Sequence, residues 1–145
     1  MKTPWHIWVV GIVTLLWNAG GAYDYLMAEL RNPTYLAMIP EEDRAGYVAY
    51  LDAMPIWAVS AWAIGVWGSI LGSILILLRS RHAVTALAIS LAGLVVTTIY
   101  TFFLAPPSPF TTISPATLAF TAAILVVLLG SLYYVRRQTA AGQLR

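Results

Sequence analysis

Four long apolar stretches organise the chain, at about Trp5 to Met27, Pro55 to Leu78, Ala83 to Leu104 and Pro115 to Val135. They are continuous and lack the strict alternation of a barrel strand. At a rise of 1.5 Å per residue, each is long enough to cross a hydrocarbon core of about 30 Å. Backbone groups in hydrocarbon must be satisfied within their own segment, which leaves helices as the spanning form. The pattern therefore predicts an all-α fold: one domain over residues 1–145, an integral membrane four-helix bundle with one sizeable extramembrane segment at 28–54.

That segment has a pattern of its own. Pro40 followed by Glu41, Glu42 and Asp43 reads as a helix start, since proline suits the first turn and carboxylates complement the positive end of the dipole. Tyr47, Tyr50, Leu51 and Met54 then recur at helical spacing. A short amphipathic helix at the membrane surface is expected, with Tyr23, Tyr25, Tyr35 and Trp57 at similar depth. An interfacial aromatic belt is the favoured role for these rings, ahead of a lid over the bundle. The Arg79–His82 connector is so short that spans two and three must form an antiparallel hairpin. The uncharged connector Ala105–Ser114 carries three prolines and is expected to be stiff and partly extended.

Charge gives the threading direction. Of the eight basic residues, Lys2, Arg79, Arg81, Arg136, Arg137 and Arg145 fall before span one, between spans two and three, or after span four. Such an excess marks the cytoplasmic side, so both termini are predicted to lie inside. All six acidic residues lie between Asp24 and Asp52, on the opposite side. With 60% hydrophobic and only 10% charged residues, against roughly 25% charged in soluble domains, the composition argues against a water-soluble fold. The net charge of +2 reflects boundary arginines rather than a nucleic-acid footprint, and no nucleic-acid partner is expected. Lys2 and the small residues Gly20 to Ala22 are compatible with a cleaved leader. The length of the first run and its Trp5, Trp8 and Trp17 fit a retained span better.

Chemistry is sparse. The chain has no cysteine, which removes disulfides and thiol catalysis. No carboxylate pair, HExxH, Gly-rich phosphate loop or Ser/His/Asp set appears at useful depth, and His6 and His82 are too few for a metal site. No enzymatic activity, cofactor or metal is therefore expected. Two polar groups in span one need partners. Asn18 lies near mid-depth with Thr14, Gly21 and Tyr25 on its face, and the favoured role is a bond between helices. Asp24, near the C-terminal end of that helix, faces an unfavourable dipole and is expected to pair with Arg31 or Arg44. Ala61, Gly65, Ser69 and Ser73 form a small stripe on span two, beside the GxxxG of Gly68 and Gly72. Ala86, Ser90, Gly93, Thr97 and Thr101 answer on span three, and the stripes are expected to meet in the hairpin. Span four is nearly pure Leu, Val, Ile and Ala and should face lipid, anchored by Tyr133, Tyr134, Arg136 and Arg137.

The runs Pro4–Ile12 (PWHIWVVGI), Leu16–Tyr25 (LWNAGGAYDY) and Ala61–Gly68 (AWAIGVWG) resemble a group of small four-span inner-membrane proteins of proteobacteria, sometimes labelled sugar transporters. The resemblance covers spans one to three and implies a bacterial inner membrane. It also marks Trp17, Asn18, Gly21, Asp24 and Tyr25 as the candidate polar or solute site. Small multidrug exporters share only the size, because Asp24 stands at the outer end of span one and the acidic loop has no counterpart. The leading expectation is a non-enzymatic accessory or interaction component, whose partners are the bilayer and a second copy or another membrane protein. The alternative is a small oligomeric transporter or channel for a polar solute, using Asn18 and Asp24.

Overall fold

The computed structural model describes residues 4–145, and the fold over them is all-α. The elements in chain order are α1 (Trp5–Glu29), α2 (Pro33–Leu36), α3 (Glu41–Ala53), α4 (Ile56–Leu77), α5 (Ala83–Ile99) and α6 (Pro115–Ala140). Three segments are long and apolar enough to cross a membrane: Ile56–Leu77, Ala83–Leu104 and Pro115–Ala140. These mark a membrane protein. The expected first span, 5–27, is a continuous helix of 25 residues, but it does not join that set. Its Asn18, Asp24 and small residues dilute its hydropathy.

The long helices pack antiparallel in the order α1, α4, α5, α6. Between α4 and α5 the backbones touch. A Cβ added at Gly93 would lie 2.6 Å from the Ala61 carbonyl oxygen, and one at Gly68 would lie 3.0 Å from the Ser90 Cβ. The Ser90 hydroxyl donates across the seam to the Gly65 carbonyl at 2.5 Å. The small residues of α4 divide differently from the expectation. Ala61, Gly65, Gly68 and Gly72 meet α5, whereas Ser69 and Ser73 turn to α1. At 100° per residue the nominal stripe drifts around the helix, so its two halves face different neighbours.

Helix α6 packs on α5 and on the start of α1 chiefly through Leu128, Ser131 and Val135, and most of its surface is exposed. It runs on past Val135 to Ala140, and Val135 is buried in one cluster with Ile7 and Ala83. Beyond Gly142, in the left-handed region at φ 71°, the chain turns back and sets Leu144 into the same cluster. The backbones of Arg145 and the α4–α5 turn then exchange two hydrogen bonds, Arg81 N–H to Arg145 O at 2.9 Å and Arg145 N–H to Arg79 O at 2.8 Å. His6 Nδ1 and the Tyr134 hydroxyl are hydrogen-bonded at 2.6 Å. This is the arginine end of the molecule. The other is the cap end, where α2 and α3 lie.

Two connectors differ from expectation. Asn32 caps a short helix, α2, by accepting from the Thr34 and Tyr35 N–H groups. The Ala105–Ser114 segment is folded rather than extended. Thr111 Oγ1 accepts from the Ser108 N–H at 2.7 Å, and the backbone turns between those two residues. Prolines restrict φ, but hydroxyls able to close local rings set the turn. Helix α5 ends at the cap end in a π-helical turn, Tyr100–Leu104.

Candidate functional site

The residues of α1 singled out by the sequence separate onto two faces. A step of about 100° per residue sets Ile7, Gly11, Thr14, Asn18, Ala22 and Tyr25 close to one line. Of these, Ile7, Gly11, Thr14 and Ala22 are buried, and Asn18 and Tyr25 are half-buried. The Asn18 amide donates to the Ser69 carbonyl at 3.1 Å and to Ser73 Oγ at 2.9 Å, so its donor group is spent on α4. Tyr25 stands edge-on to Trp62, with ring centroids 4.9 Å apart. Trp17 and Asp24 fall well off that line, Gly21 sits at its edge, and all three are exposed. A Cβ added at Gly20 or Gly21 would meet nothing within 4 Å. Asn18 and Asp24 thus do not share a pocket.

Asp24 does not pair with an arginine. Arg31 takes a left-handed backbone, φ 49°, immediately after α1. That conformation turns its guanidinium back onto the Ala28 carbonyl at 2.7 Å and sideways to Asp52 at 2.8 Å. A cation at a helix C-terminus completes the free carbonyls and complements the dipole, which accounts for where it goes. Arg44 donates to the Leu36 and Ile39 carbonyls at 2.9 and 3.2 Å, holding the end of α2 against α3. Asp24 instead accepts a hydrogen bond from the Tyr35 hydroxyl, and that oxygen lies 3.5 Å from the Tyr47 hydroxyl. Burial, followed by the bond to Asp24, pushes the Tyr35 phenol well above its ordinary value. Burial likewise raises Tyr47 and Tyr50.

These tyrosines belong to an aromatic cap that only the tertiary structure assembles. Helix α3 begins at Glu41 with its acidic first turn and buries Tyr47, Leu51 and the adjoining Met54 against the protein. The Tyr47 ring lies 4.7 Å from Phe110, in the α5–α6 connector. The Tyr50 hydroxyl bonds Thr101 Oγ1 at 3.0 Å, and the Tyr100 hydroxyl donates to the Ala53 carbonyl at 3.3 Å. Trp57 stands perpendicular to Tyr100 at 5.5 Å. The apolar face of α3 therefore packs over the ends of the helices rather than standing apart from them. The reason is geometric: the return of the chain from α5 to α6 brings Phe110 under Tyr47. Tyr23, 56% exposed, stays at the surface. Phe110 and Tyr100 carried no sequence signal, because neither belongs to a periodic polar or aromatic run.

Two clefts open on the outside of the helices. One of about 260 Å³, between α5 and α6 near the cap, is lined by Thr97, Thr98, Thr101, Phe110, Phe120 and Thr121, among others. The Thr97 and Thr98 hydroxyls bond back to carbonyls of their own helix at 2.9 and 2.8 Å, which leaves the cleft without free donors from that pair. The other, about 840 Å³, runs along α6 at the arginine end. No group of three or more His, Asp or Glu side chains is placed to hold a metal ion among the described residues. Compared with family models, curated proteins and solved structures, the chain matches none.

Proposed function

We propose that the protein crosses a bacterial inner membrane four times with both termini in the cytoplasm. There it serves as a non-catalytic accessory or interaction component, with the cap of α2 and α3 on the outer face. A crossing α1 is supported by its 25 residues, about 37 Å of helix, and by its packing along α4. That contact runs from Gly11 beside Leu77 to Tyr25 beside Trp62, which gives both helices the same depth. The sidedness is supported by Arg79, Arg81, Arg136, Arg137 and Arg145 at one end, against all six carboxylates with only Arg31 and Arg44 at the other.

The observation that carries the interaction reading is the bonding of Asn18. The one amide within the helices' contact surface that could line a solute path has its NH2 group engaged by Ser69 and Ser73. Next to it, α4 and α5 are held at backbone contact by Gly65, Gly68 and Gly93, and the Leu87 side chain is seated on Gly72. Transport of a polar solute is the second reading, favoured by an exposed Asp24 beside the free surface at Gly20 and Gly21.

Two substitutions separate them in proteoliposomes and in detergent. Asn18→Ala is expected to reduce stability by about 1 kcal/mol, within the range for an interhelical hydrogen bond in a membrane protein. Asp24→Asn is expected to leave solute flux unchanged, and native mass spectrometry from the source membrane to find a bound membrane-protein partner. Loss of flux in a fully folded Asp24→Asn protein would establish the transporter instead.

A further inference from the structure

We propose that the outward face of α6 at the arginine end is a binding site for an anionic phospholipid. The proposal rests on α6 crossing the membrane but not on which side its C-terminal end faces. The open groove of about 840 Å³, lined by α6 and its C-cap alone, runs from Leu129 and Leu132 to Tyr133, Arg136 and Arg137, with Ala140 and Ala141 below. An apolar wall leading to two adjacent guanidiniums has the polarity of a phospholipid, acyl chain first and phosphate last.

Three features point to a lipid with net negative charge. Arg137 is held in place: it donates to the Tyr133 hydroxyl at 3.3 Å, and its guanidinium carbon lies 5.8 Å from that ring's centroid. A preorganised fork loses less rotamer freedom when it engages a phosphate. No side-chain carboxylate competes for it, because all six acidic residues lie between Asp24 and Asp52. The ion pair found among the described residues, Arg31–Asp52, is at the cap end. Arg79, Arg81 and Arg145 stand at the same end as the cleft and add to its positive field. Arg79 itself is turned toward the Gln143 carbonyl at 3.4 Å. The Tyr133 ring, 63% exposed, lies between the apolar wall and the charged floor, the level that tyrosine prefers at a membrane surface.

The test uses the full chain in a non-ionic detergent, with phosphatidylglycerol or phosphatidylcholine added, read by native mass spectrometry and thermal melting. Phosphatidylglycerol is expected to be retained preferentially and to raise the melting temperature. Arg136→Gln with Arg137→Gln should weaken its binding about 30-fold, the effect of removing two basic residues at a lipid surface. Both side chains are exposed, so the double variant keeps its fold. Arg81→Gln with Arg145→Gln removes the same charge from the same end but outside the cleft, and should change binding by no more than a few-fold. Equal losses in the two double variants would make the effect one of net charge and overturn the site. So would equal retention of phosphatidylcholine, or an equal rise in melting temperature with inorganic phosphate alone. Labelling of a cysteine at position 140 from the outer face would overturn the proposed sidedness and leave the lipid result standing.

Discussion

The contact between α4 and α5 can be tested at a single atom. In Gly93→Ala the new Cβ would lie 2.6 Å from the Ala61 carbonyl oxygen and 2.7 Å from the Gly65 nitrogen, both backbone atoms that cannot rotate away. Carbon–oxygen contacts are comfortable at about 3.3 Å or more, so the helices must part locally by about 0.7 Å. A gap of that size forfeits a quarter to a half of the dispersion energy of the atoms along it. It also stretches the Ser90 hydroxyl bond to Gly65. Overpacking of this kind costs about 1–3 kcal/mol, and the higher helix propensity of alanine returns at most about 1 kcal/mol. The expected loss is about 2 kcal/mol. Gly21→Ala is the counterpart: its Cβ meets nothing within 4 Å, so only the propensity gain remains. Unfolding of both variants in mixed micelles, titrated with dodecyl sulfate and followed by circular dichroism, should move in opposite directions. A Gly93→Ala protein as stable as the parent would refute the backbone contact. A Gly21→Ala protein destabilised by as much would mean that the exposed face of α1 is covered.

The cap and the threading give two further expectations. Because burial and the bond to Asp24 raise the Tyr35 pKa, the folded state favours the neutral phenol. The stability this contributes is fully present below the ordinary value of 10.0 and is lost as pH rises above it toward the folded value. Tyr35→Phe should therefore flatten part of the alkaline fall in stability, and identical slopes in the two proteins would contradict the half-buried phenol bonded to Asp24. The chain has no native cysteine. Asp43→Cys should thus react with an impermeant maleimide from the outer face, while Ser80→Cys and Ala140→Cys should react only after the membrane is opened. Reaction of position 140 from outside would defeat the cytoplasmic placement of the C-terminal end.

Much of the framework was legible without coordinates. The apolar runs at 55–78, 83–104 and 115–135 correspond to helices, because the length and hydropathy of a segment are properties it carries alone. The start of α3 at Glu41 was equally local, set by Pro40 and three carboxylates in one turn. What was not legible depended on angle and on meetings between distant residues. Asn18 was recognisable as a group needing a partner, but only the phase of α4 decided that Ser69 and Ser73 would supply it, while Gly68 and Gly72 went to α5. Asp24 invited an arginine by charge. The left-handed turn at Arg31 sent that cation back to the end of α1, and Asn32 started a helix that carried Tyr35 to the carboxylate instead. The cap likewise needed Phe110 under Tyr47, 63 positions away in the chain. Hydrophobic length and charge act on each segment separately, so the sequence by itself determined the helices and the polarity of the two ends. Which faces meet depends on helix rotation and on where connectors return the chain, and those the tertiary structure alone decided.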